Sequence, residues 1–282
     1  MSAIVHIANV PIGGEHFTAV AGPCAVESHE MALATALAVQ AAGARVLRAG
    51  AFKPRTSPHA FQGLGCEALE ILREVKAATG IPVVTELTDI RLLDDVLDVA
   101  DGVQVGARNM QNYPMLTELG RTDVPVVLKR GLSATLDELL LAAEYILCEG
   151  NERVILCERG IRTYERGYRF TLDLGAVAVL RERTHLPVIV DPSHAAGRRS
   201  LVLPLSLAAV GAGADGLIVE VHPEPSLALC DAEQALETRE FGGYLRKVRS
   251  VARVLGRSAP EPAPVAASTP LLMCDVSLAD AA

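Results

Sequence analysis

Three cations, Arg48, Lys53 and Arg55, lie within eight residues of one another, directly after an apolar run that is typical of a β-strand. In a chain with a formal net charge of −8 at pH 7, this concentration of positive charge suggests an anionic ligand. Lys and Arg at a strand end suit small anions with several charges, above all phosphates. A solvated basic loop is the alternative interpretation, and the residues at the other predicted strand ends are needed to choose between the two.

Four further residues offer one thiol, one imidazole and two carboxylates, and they are Cys24, His194, Glu220 and Asp231. This combination suits a divalent metal ion of borderline softness, such as Mn, Fe, Co or Zn. Taken singly, Cys24 also fits a small core residue and His194 an ordinary loop histidine. Because these residues come from the first, seventh and eighth predicted strands yet would share one face, the sequence points toward a metal site, and the single-residue interpretations stay open.

Short apolar runs alternate with helical patterns along almost the whole chain. Eight such units predict an α/β protein with a (β/α)8 TIM barrel, and a doubly wound open sheet is the alternative. The predicted strands span residues 18–21, 45–49, 82–85, 102–105, 125–128, 153–157, 187–190 and 216–221. The predicted helices span residues 29–42, 66–78, 91–100, 135–148, 172–183, 200–212 and 236–255.

In such a barrel, the residues at the carboxyl ends of the strands form the face where chemistry takes place. Every predicted strand leads to a cation, an acid or a potential metal ligand: Cys24, Arg48, Glu86, Arg108, Lys129, Glu158, His194 and Glu220. The cations that would converge on this face are Arg48, Lys53, Arg55, Arg108, Lys129 and Arg159. So much like charge predicts a ligand with several negative charges, such as a substrate pair with two phosphates and a carboxylate.

Two segments fall outside the barrel pattern. Residues 1–17 predict a small hairpin that closes the bottom of the barrel, with Gly13-Gly14 in its turn. Residues 257–282 are rich in Pro and Ala without periodicity and predict a flexible tail, which leaves 18–256 as the catalytic barrel.

Composition restricts partners and location. The acidic balance argues against nucleic-acid and membrane-surface binding, which call for a basic stripe. No signal peptide is recognisable at the start of the chain, and the six cysteines form no CxxC pair. We therefore expect a reduced, cytoplasmic location.

Several long motifs resemble one enzyme family. The runs 21–28 (AGPCAVES), 53–57 (KPRTS), 104–112 (QVGARNMQN) and 191–197 (DPSHAAG) are similar to 3-deoxy-D-arabino-heptulosonate 7-phosphate (DAHP) synthases, in the short bacterial type I form related to KDO-8-phosphate synthases. The resemblance implies a metal-dependent condensation of phosphoenolpyruvate (PEP) with erythrose 4-phosphate and water. The products would be DAHP and phosphate, in the first step of the shikimate pathway to aromatic amino acids.

The resemblance also implies a role for each matching residue. Metal ligands would be Cys24, His194, Glu220 and Asp231, and PEP would bind to Arg48, Arg108, Lys129 and Arg159. Erythrose 4-phosphate would bind to Lys53, Pro54, Arg55 and Thr56, and catalytic residues near the reacting water would be Lys53, Glu86 and Glu158. Family members are commonly homotetramers or homodimers, so we expect a homo-oligomer.

Rival functions differ at few positions. KDO-8-phosphate synthases usually read Lys-Ala-Asn-Arg-Ser where this chain has Lys53-Pro54-Arg55-Thr56-Ser57, which favours erythrose 4-phosphate. His59-Ala60 replaces the usual Tyr-Ser and leaves open an amino-sugar variant of secondary metabolism. An inactive regulatory barrel is a further alternative. Too few residues precede the first strand for a ferredoxin-like regulatory domain, so feedback control would need a separate partner.

Overall fold

The computed structural model describes residues 2–259, and its centre is a closed barrel of eight parallel strands. In chain order the barrel strands are β3 (Thr18–Gly22), β4 (Val46–Arg48), β5 (Val83–Leu87), β6 (Gly102–Val105), β7 (Val126–Lys129), β8 (Val154–Glu158), β9 (Val188–Val190) and β10 (Gly216–His222). β10 pairs with both β3 and β9, which closes the sheet. The predicted TIM barrel is confirmed, and the open-sheet alternative is wrong.

Helices surround the barrel. They are α1 (His29–Ala42), α2 (Cys66–Thr79), α3 (Leu93–Leu97), α4 (Tyr113–Gly120), α5 (Leu136–Leu147), α6 (Leu174–Arg183), α7 (Pro192–Ala196), α8 (Arg199–Gly211) and α9 (Thr238–Val254). Local chemistry sets their ends: the Ser28 hydroxyl accepts from the Met31 amide at the start of α1, and Gly43 ends it with a φ of 101°. None of the helices in the range 2–259 is long and apolar enough to cross a membrane.

The sequence analysis missed two helices, α4 and α7. They have eight and five residues, so they are too short to show an apolar repeat of 3.6 residues. The predicted helix over 91–100 is one turn of 3-10 helix followed by α3. These differences leave the order of strands and helices unchanged.

The N-terminal hairpin consists of β1 (Ile4–Ile7) and β2 (Val10–Gly13), and it closes the amino end of the barrel as predicted. Its side chains Val5, Ile7, Val10 and Ile12 are buried in one apolar cluster with the barrel interior: Val20, Val46, Val84, Val127, Ile155, Cys157, Ile189 and Ile218. The predicted turn at Gly13-Gly14 is wrong. The chain turns at Ala8-Asn9, where Ala8 has a φ of 50°, and Gly13 is the last residue of β2.

A short strand, β11 (Leu236–Glu237), extends the sheet beyond β10 and precedes α9, where the sequence predicted only helix. It pairs in parallel with Val221 and His222 at the carboxyl end of β10. This pairing ties the loop 223–235 to the rim of the barrel. Of the predicted tail, Ser258 pairs with the segment 15–17, and residues 260–282 lie outside the described residues. The division into hairpin, barrel and tail stays a prediction.

Candidate active site

Four side chains meet at the carboxyl end of the barrel, and they offer one thiol, one imidazole and two carboxylates. One potential ligand atom from each lies within 4.8 Å of the others, and the residues are Cys24, His194, Glu220 and Asp231. Cys24 follows β3, His194 lies in α7, and Glu220 lies in β10. The structure therefore brings together the complete set that the sequence predicted as a metal site.

Direct contacts connect these four residues. Asp231 Oδ2 accepts a hydrogen bond from Cys24 Sγ at 3.1 Å, and Glu220 Oε1 lies 3.2 Å from His194 Nε2. Cys24 and Glu220 are buried, whereas His194 and Asp231 are half-buried. Sulfur, imidazole nitrogen and carboxylate oxygen together are the donor set of a divalent metal of borderline softness.

Lys53 extends into this donor set. Its Nζ lies 2.5 Å from Cys24 Sγ and 3.1 Å from Asp231 Oδ2. Burial alone would raise the pKa of Asp231, but Lys53 and His194 outweigh it and hold that pKa well below its usual range. Burial raises the pKa of the Cys24 thiol, so a metal ion that binds here has to displace its proton.

Asp191 contacts two of the predicted site residues, although the sequence analysis did not assign it a role. It is buried, and its Oδ2 accepts a hydrogen bond from Lys129 Nζ at 2.5 Å and lies 2.7 Å from His194 Nδ1. Burial alone would raise its pKa, but His194 and Lys129 lower it. A carboxylate on Nδ1 leaves Nε2 directed at the other donors, as is usual around ligating histidines. Its place three residues before His194 was the available sequence signal.

A cavity of about 290 Å³ opens beside these donors. Its walls include ten of the predicted site residues: Lys53, Pro54, Arg55, Thr56, Glu86, Arg108, Lys129, Arg159, His194 and Asp231. A larger cavity of about 820 Å³ lies against the N-terminal hairpin at the opposite end of the barrel. The smaller cavity is the candidate site, because five predicted cations and two of the four donors, His194 and Asp231, line it.

Comparison with known proteins identifies the family. The sequence model of the DAHP synthetase I family matches residues 3–255. The chain is 50% identical over 253 residues to the phospho-2-dehydro-3-deoxyheptonate aldolase of Thermotoga maritima. The aligned residues cover 90% of this chain and 75% of that protein. The chain belongs to the DAHP synthetase I family.

Solved structures agree with this assignment. A crystal structure of the Thermotoga maritima enzyme superposes with a TM-score of 0.89 at 49% identity, covering 92% of this chain and 76% of that chain. A truncated form of 3-deoxy-D-arabino-heptulosonate 7-phosphate synthase from the same organism gives a TM-score of 0.85 at 45% identity, covering 92% and 95%. The 2-dehydro-3-deoxyphosphooctonate aldolase of Syntrophotalea carbinolica is more distant, at 32% identity over 89% of this chain and 96% of that protein.

Four predicted site residues of this DAHP synthetase I family member are absent from the cavity wall: the donors Cys24 and Glu220, together with Arg48 and Glu158. Arg48 is buried, and its Nη1 donates to Glu220 Oε1 at 2.9 Å and to the Pro23 carbonyl at 3.1 Å. Glu158 is fully buried and accepts a hydrogen bond from Arg130 Nη1 at 2.9 Å. Burial raises the pKa of Glu158. The PEP-binding role of Arg48 and the catalytic role of Glu158 stay predictions.

Other residues complete the surroundings of the cavity. Gln104 Nε2 donates to Glu86 Oε2 at 2.8 Å and so orients a carboxylate that was predicted to be catalytic. His59, which departs from the family pattern, is exposed and is absent from the cavity wall, whereas its neighbour Ala60 is part of it. The sequence analysis also missed Arg169 and Gln234, which contact the proposed metal ligands and are described below.

Proposed function

We propose that this chain is a DAHP synthase that condenses PEP with erythrose 4-phosphate and water to give DAHP and inorganic phosphate. One observation carries the proposal: a four-residue donor set, two of whose members line the cavity, lies beside a wall of cations at the carboxyl end of the barrel. PEP and erythrose 4-phosphate together carry two phosphates, a carboxylate and an aldehyde. The phosphates and the carboxylate match the cations, and the aldehyde oxygen matches a metal ion held by the donor set.

The donor set fits a divalent ion such as Mn, Fe, Co or Zn. The ammonium of Lys53 lies 2.5 Å from the Cys24 sulfur and 3.1 Å from an Asp231 oxygen, so a cation is already favourable among these atoms. A bound ion would be held by Cys24, His194, Glu220 and Asp231 and would supply Lewis acidity toward the aldehyde oxygen. The choice among the four metals is left to metal analysis of the purified protein.

The cations of the cavity wall account for both phosphates. Arg159, Lys129 and Arg108 line the cavity and suit the phosphate and carboxylate of PEP. Arg55 lines the same cavity, and its buried Nη1 has no hydrogen-bond partner among the described residues. An unpartnered guanidinium nitrogen is costly unless an anion meets it, so this atom supports a role for Arg55 in binding erythrose 4-phosphate.

The reaction then needs orientation, one proton acceptor and one proton donor. Carbon C3 of PEP forms a bond to C1 of the sugar while the aldehyde oxygen takes up a proton, and water adds to C2 and loses a proton. The resulting hemiketal loses phosphate, which leaves with the hydroxyl proton, so that the keto group remains. The cations hold the reactants in register and stabilise the departing phosphate. Glu86, oriented by Gln104, is our candidate to accept the proton of the water, and Lys53 is our candidate to donate a proton to the aldehyde oxygen.

Steady-state assays of PEP consumption test the function. We expect turnover with erythrose 4-phosphate, far less with arabinose 5-phosphate or ribose 5-phosphate, loss of turnover in chelator, and recovery with added Mn or Co. Dominant activity with arabinose 5-phosphate would contradict the substrate assignment. Full activity in chelator would contradict the metal centre.

A triple variant tests whether residues 54–56 bind the sugar phosphate. Pro54→Ala, Arg55→Asn and Thr56→Arg together install the pattern of KDO-8-phosphate synthases. We expect a large rise in KM for erythrose 4-phosphate and little change in KM for PEP, because the PEP cations are untouched. His59→Tyr is the matched control in the same loop and should leave both KM values close to those of the wild type, because His59 is exposed.

Assembly and location complete the proposal. We propose a homodimer or homotetramer in the cytoplasm, on the family resemblance and the cysteine pattern. Light scattering of the purified protein measures the assembly.

A further inference from the structure

The loop 223–235 between β10 and β11 has an unusual backbone at Asp231. This residue has a φ of 51°, a left-handed conformation that few non-glycine residues adopt. The Gln234 amide donates to the Asp231 carbonyl at 3.3 Å and closes a turn. The turn buries the Gln234 side chain to 2% exposure directly behind the donor set.

Each carboxylate of the donor set divides its two oxygens between different neighbours. Glu220 Oε1 faces His194 Nε2 at 3.2 Å, whereas its Oε2 accepts a hydrogen bond from Gln234 Nε2 at 2.6 Å. Asp231 Oδ2 faces Cys24 Sγ at 3.1 Å, whereas its Oδ1 accepts from Arg169 Nη1 at 3.2 Å. One oxygen of each carboxylate is therefore directed at the other donors, where Arg48 also contacts Glu220 Oε1 and Lys53 also contacts Asp231 Oδ2, and the second oxygen is held by Gln234 or Arg169.

The two outside partners are joined to each other. Arg169 Nη1 donates to Gln234 Oε1 at 3.0 Å as well as to Asp231. The guanidinium of Arg169 also lies 5.7 Å from the centre of the Phe170 ring, which restrains it. An unbroken chain of hydrogen bonds thus runs from Asp231 through Arg169 and Gln234 to Glu220, and it links three separate parts of the fold.

We propose that Arg169 and Gln234 are positioning residues that set the affinity of the donor set for a divalent metal ion. The proposal rests on the metal centre proposed above. Without this pair, the outer oxygens of Asp231 and Glu220 lose their partners. Lys53 and Arg48 then hold these carboxylates only through the oxygens that face the other donors, so each carboxylate can rotate about that contact. A bound metal then has to reorganise the carboxylates, and that reorganisation lowers its affinity.

Cobalt titration of metal-free full-length protein tests the pair without an activity assay. The absorbance of the Cys24 thiolate–Co²⁺ band reports binding. We expect Gln234→Met and Arg169→Met each to weaken Co²⁺ affinity by about 10–100-fold, with an unchanged band at saturation, because the ligands themselves remain. The double variant should be little weaker than either single variant, because either change breaks the same chain.

Matched controls separate positioning from a general loss of structure. Gln40→Met removes a glutamine that donates to the Thr79 carbonyl at 3.0 Å, and Arg166→Met removes an exposed arginine from the same loop as Arg169. Both controls should bind Co²⁺ like the wild type. Gln234→Asn and Arg169→Lys keep a donor and should recover part of the lost affinity.

The outcomes distinguish the two proposals. If folded Arg169→Met and Gln234→Met bind Co²⁺ within about twofold of the wild type, the positioning role is overturned. If the wild-type protein itself gives no thiolate–Co²⁺ band, the metal centre fails and the positioning role fails with it. Should Gln234→Met not fold, Arg169→Met decides, because the Arg169 side chain is 36% exposed and its removal leaves no buried gap.

Discussion

Arg130 stabilises the most deeply buried carboxylate among the predicted catalytic residues. Its Nη1 donates to Glu158 Oε2 and to Asp173 Oδ2, at 2.9 Å in each case. The Glu158 side chain is 0% exposed, and its other oxygen accepts from the Gly160 amide at 2.7 Å. The cavity cation Arg159 lies between Glu158 and Gly160 in the chain. We infer that this ion pair holds the end of β8 in place.

Removal of the Arg130 charge tests this inference. We expect Arg130→Met to lower the free energy of unfolding by about 3–5 kcal/mol at neutral pH, because Glu158 then becomes a buried charge without a counter-ion. Arg73→Met is the matched surface control, since Arg73 pairs with Glu70 and Asp98 in solvent, and it should cost about 1 kcal/mol or less. Urea denaturation measures both variants.

The pH dependence of the same variant has a defined sign. The pKa of Glu158 is raised in the folded state by burial, so between the unfolded and folded pKa values the folded protein binds more protons. The free energy of unfolding of Arg130→Met should therefore be highest below the pKa that Glu158 has in the unfolded chain. It should fall as the pH rises through the pKa that Glu158 has in the folded protein. If Arg130→Met loses the same free energy of unfolding relative to the wild type at pH 4 and at pH 8, to within about 0.5 kcal/mol, the buried charge of Glu158 is not the cause of the loss.

Among the secondary-structure elements, the N-terminal hairpin and the catalytic loops occupy opposite ends of one barrel. Strands β1 and β2 fill the amino end with apolar side chains, whereas the donor set and the cations occupy the carboxyl end. The hairpin therefore contributes to stability at the end of the barrel that lies away from the candidate site. Substitutions in the hairpin should change stability far more than substrate binding.

Ile7 and Ile4 allow a controlled test within a single strand. Ile7 is 0% exposed inside the barrel, and we expect Ile7→Ala to cost about 2–5 kcal/mol through lost burial and the cavity left behind. Ile4 is 48% exposed, so Ile4→Ala should lower the free energy of unfolding by about 0.5 kcal/mol or less. Thermal unfolding measures both variants. The folded fraction of Ile7→Ala should keep the wild-type KM for PEP, and a large rise in that KM would show that the two ends are coupled.

At the scale of the whole molecule, charge is unevenly distributed. The net charge is −8, yet Lys53, Arg55, Arg108, Lys129 and Arg159 line one cavity of about 290 Å³. Such a cavity attracts anions locally, while the rest of the surface repels them. Exposed Arg108 should contribute to this attraction over a longer range than buried Lys129, which is paired with Asp191.

Ionic strength tests this electrostatic attraction. The Debye length falls from roughly 30 Å at 0.01 M to about 8 Å at 0.15 M, so kcat/KM for PEP should fall across this range. At low salt, kcat/KM for PEP should be lower in Arg108→Gln than in the wild type, and it should depend less on salt concentration. A neutral salt series at constant metal concentration measures both slopes. Equal slopes for the wild type and the variant would contradict a role for Arg108 in attraction.

The amino-acid sequence by itself predicted the barrel, its strand order and ten residues that line the cavity, of which Pro54 and Thr56 came only from the family resemblance. The reason is periodicity: each buried parallel strand is a short apolar run, and each strand ends at the same face, so residues such as Lys53 and His194 were assigned to that face without coordinates. The hairpin at the amino end followed from the same count of strands. Its turn was misplaced because the two glycines were a stronger turn signal than Ala8-Asn9.

Only the tertiary structure decided which partner each buried polar group has. Arg48 meets Glu220, Glu158 meets Arg130, and Asp191 joins Lys129 to His194, although these partners lie 172, 28, 62 and 3 residues apart in the chain. Gln234 reaches Glu220 because β11 folds the preceding loop back onto the barrel rim. Hydrogen bonds between side chains need a separation of about 3 Å, and strand patterns place residues on a face without setting distances on that scale.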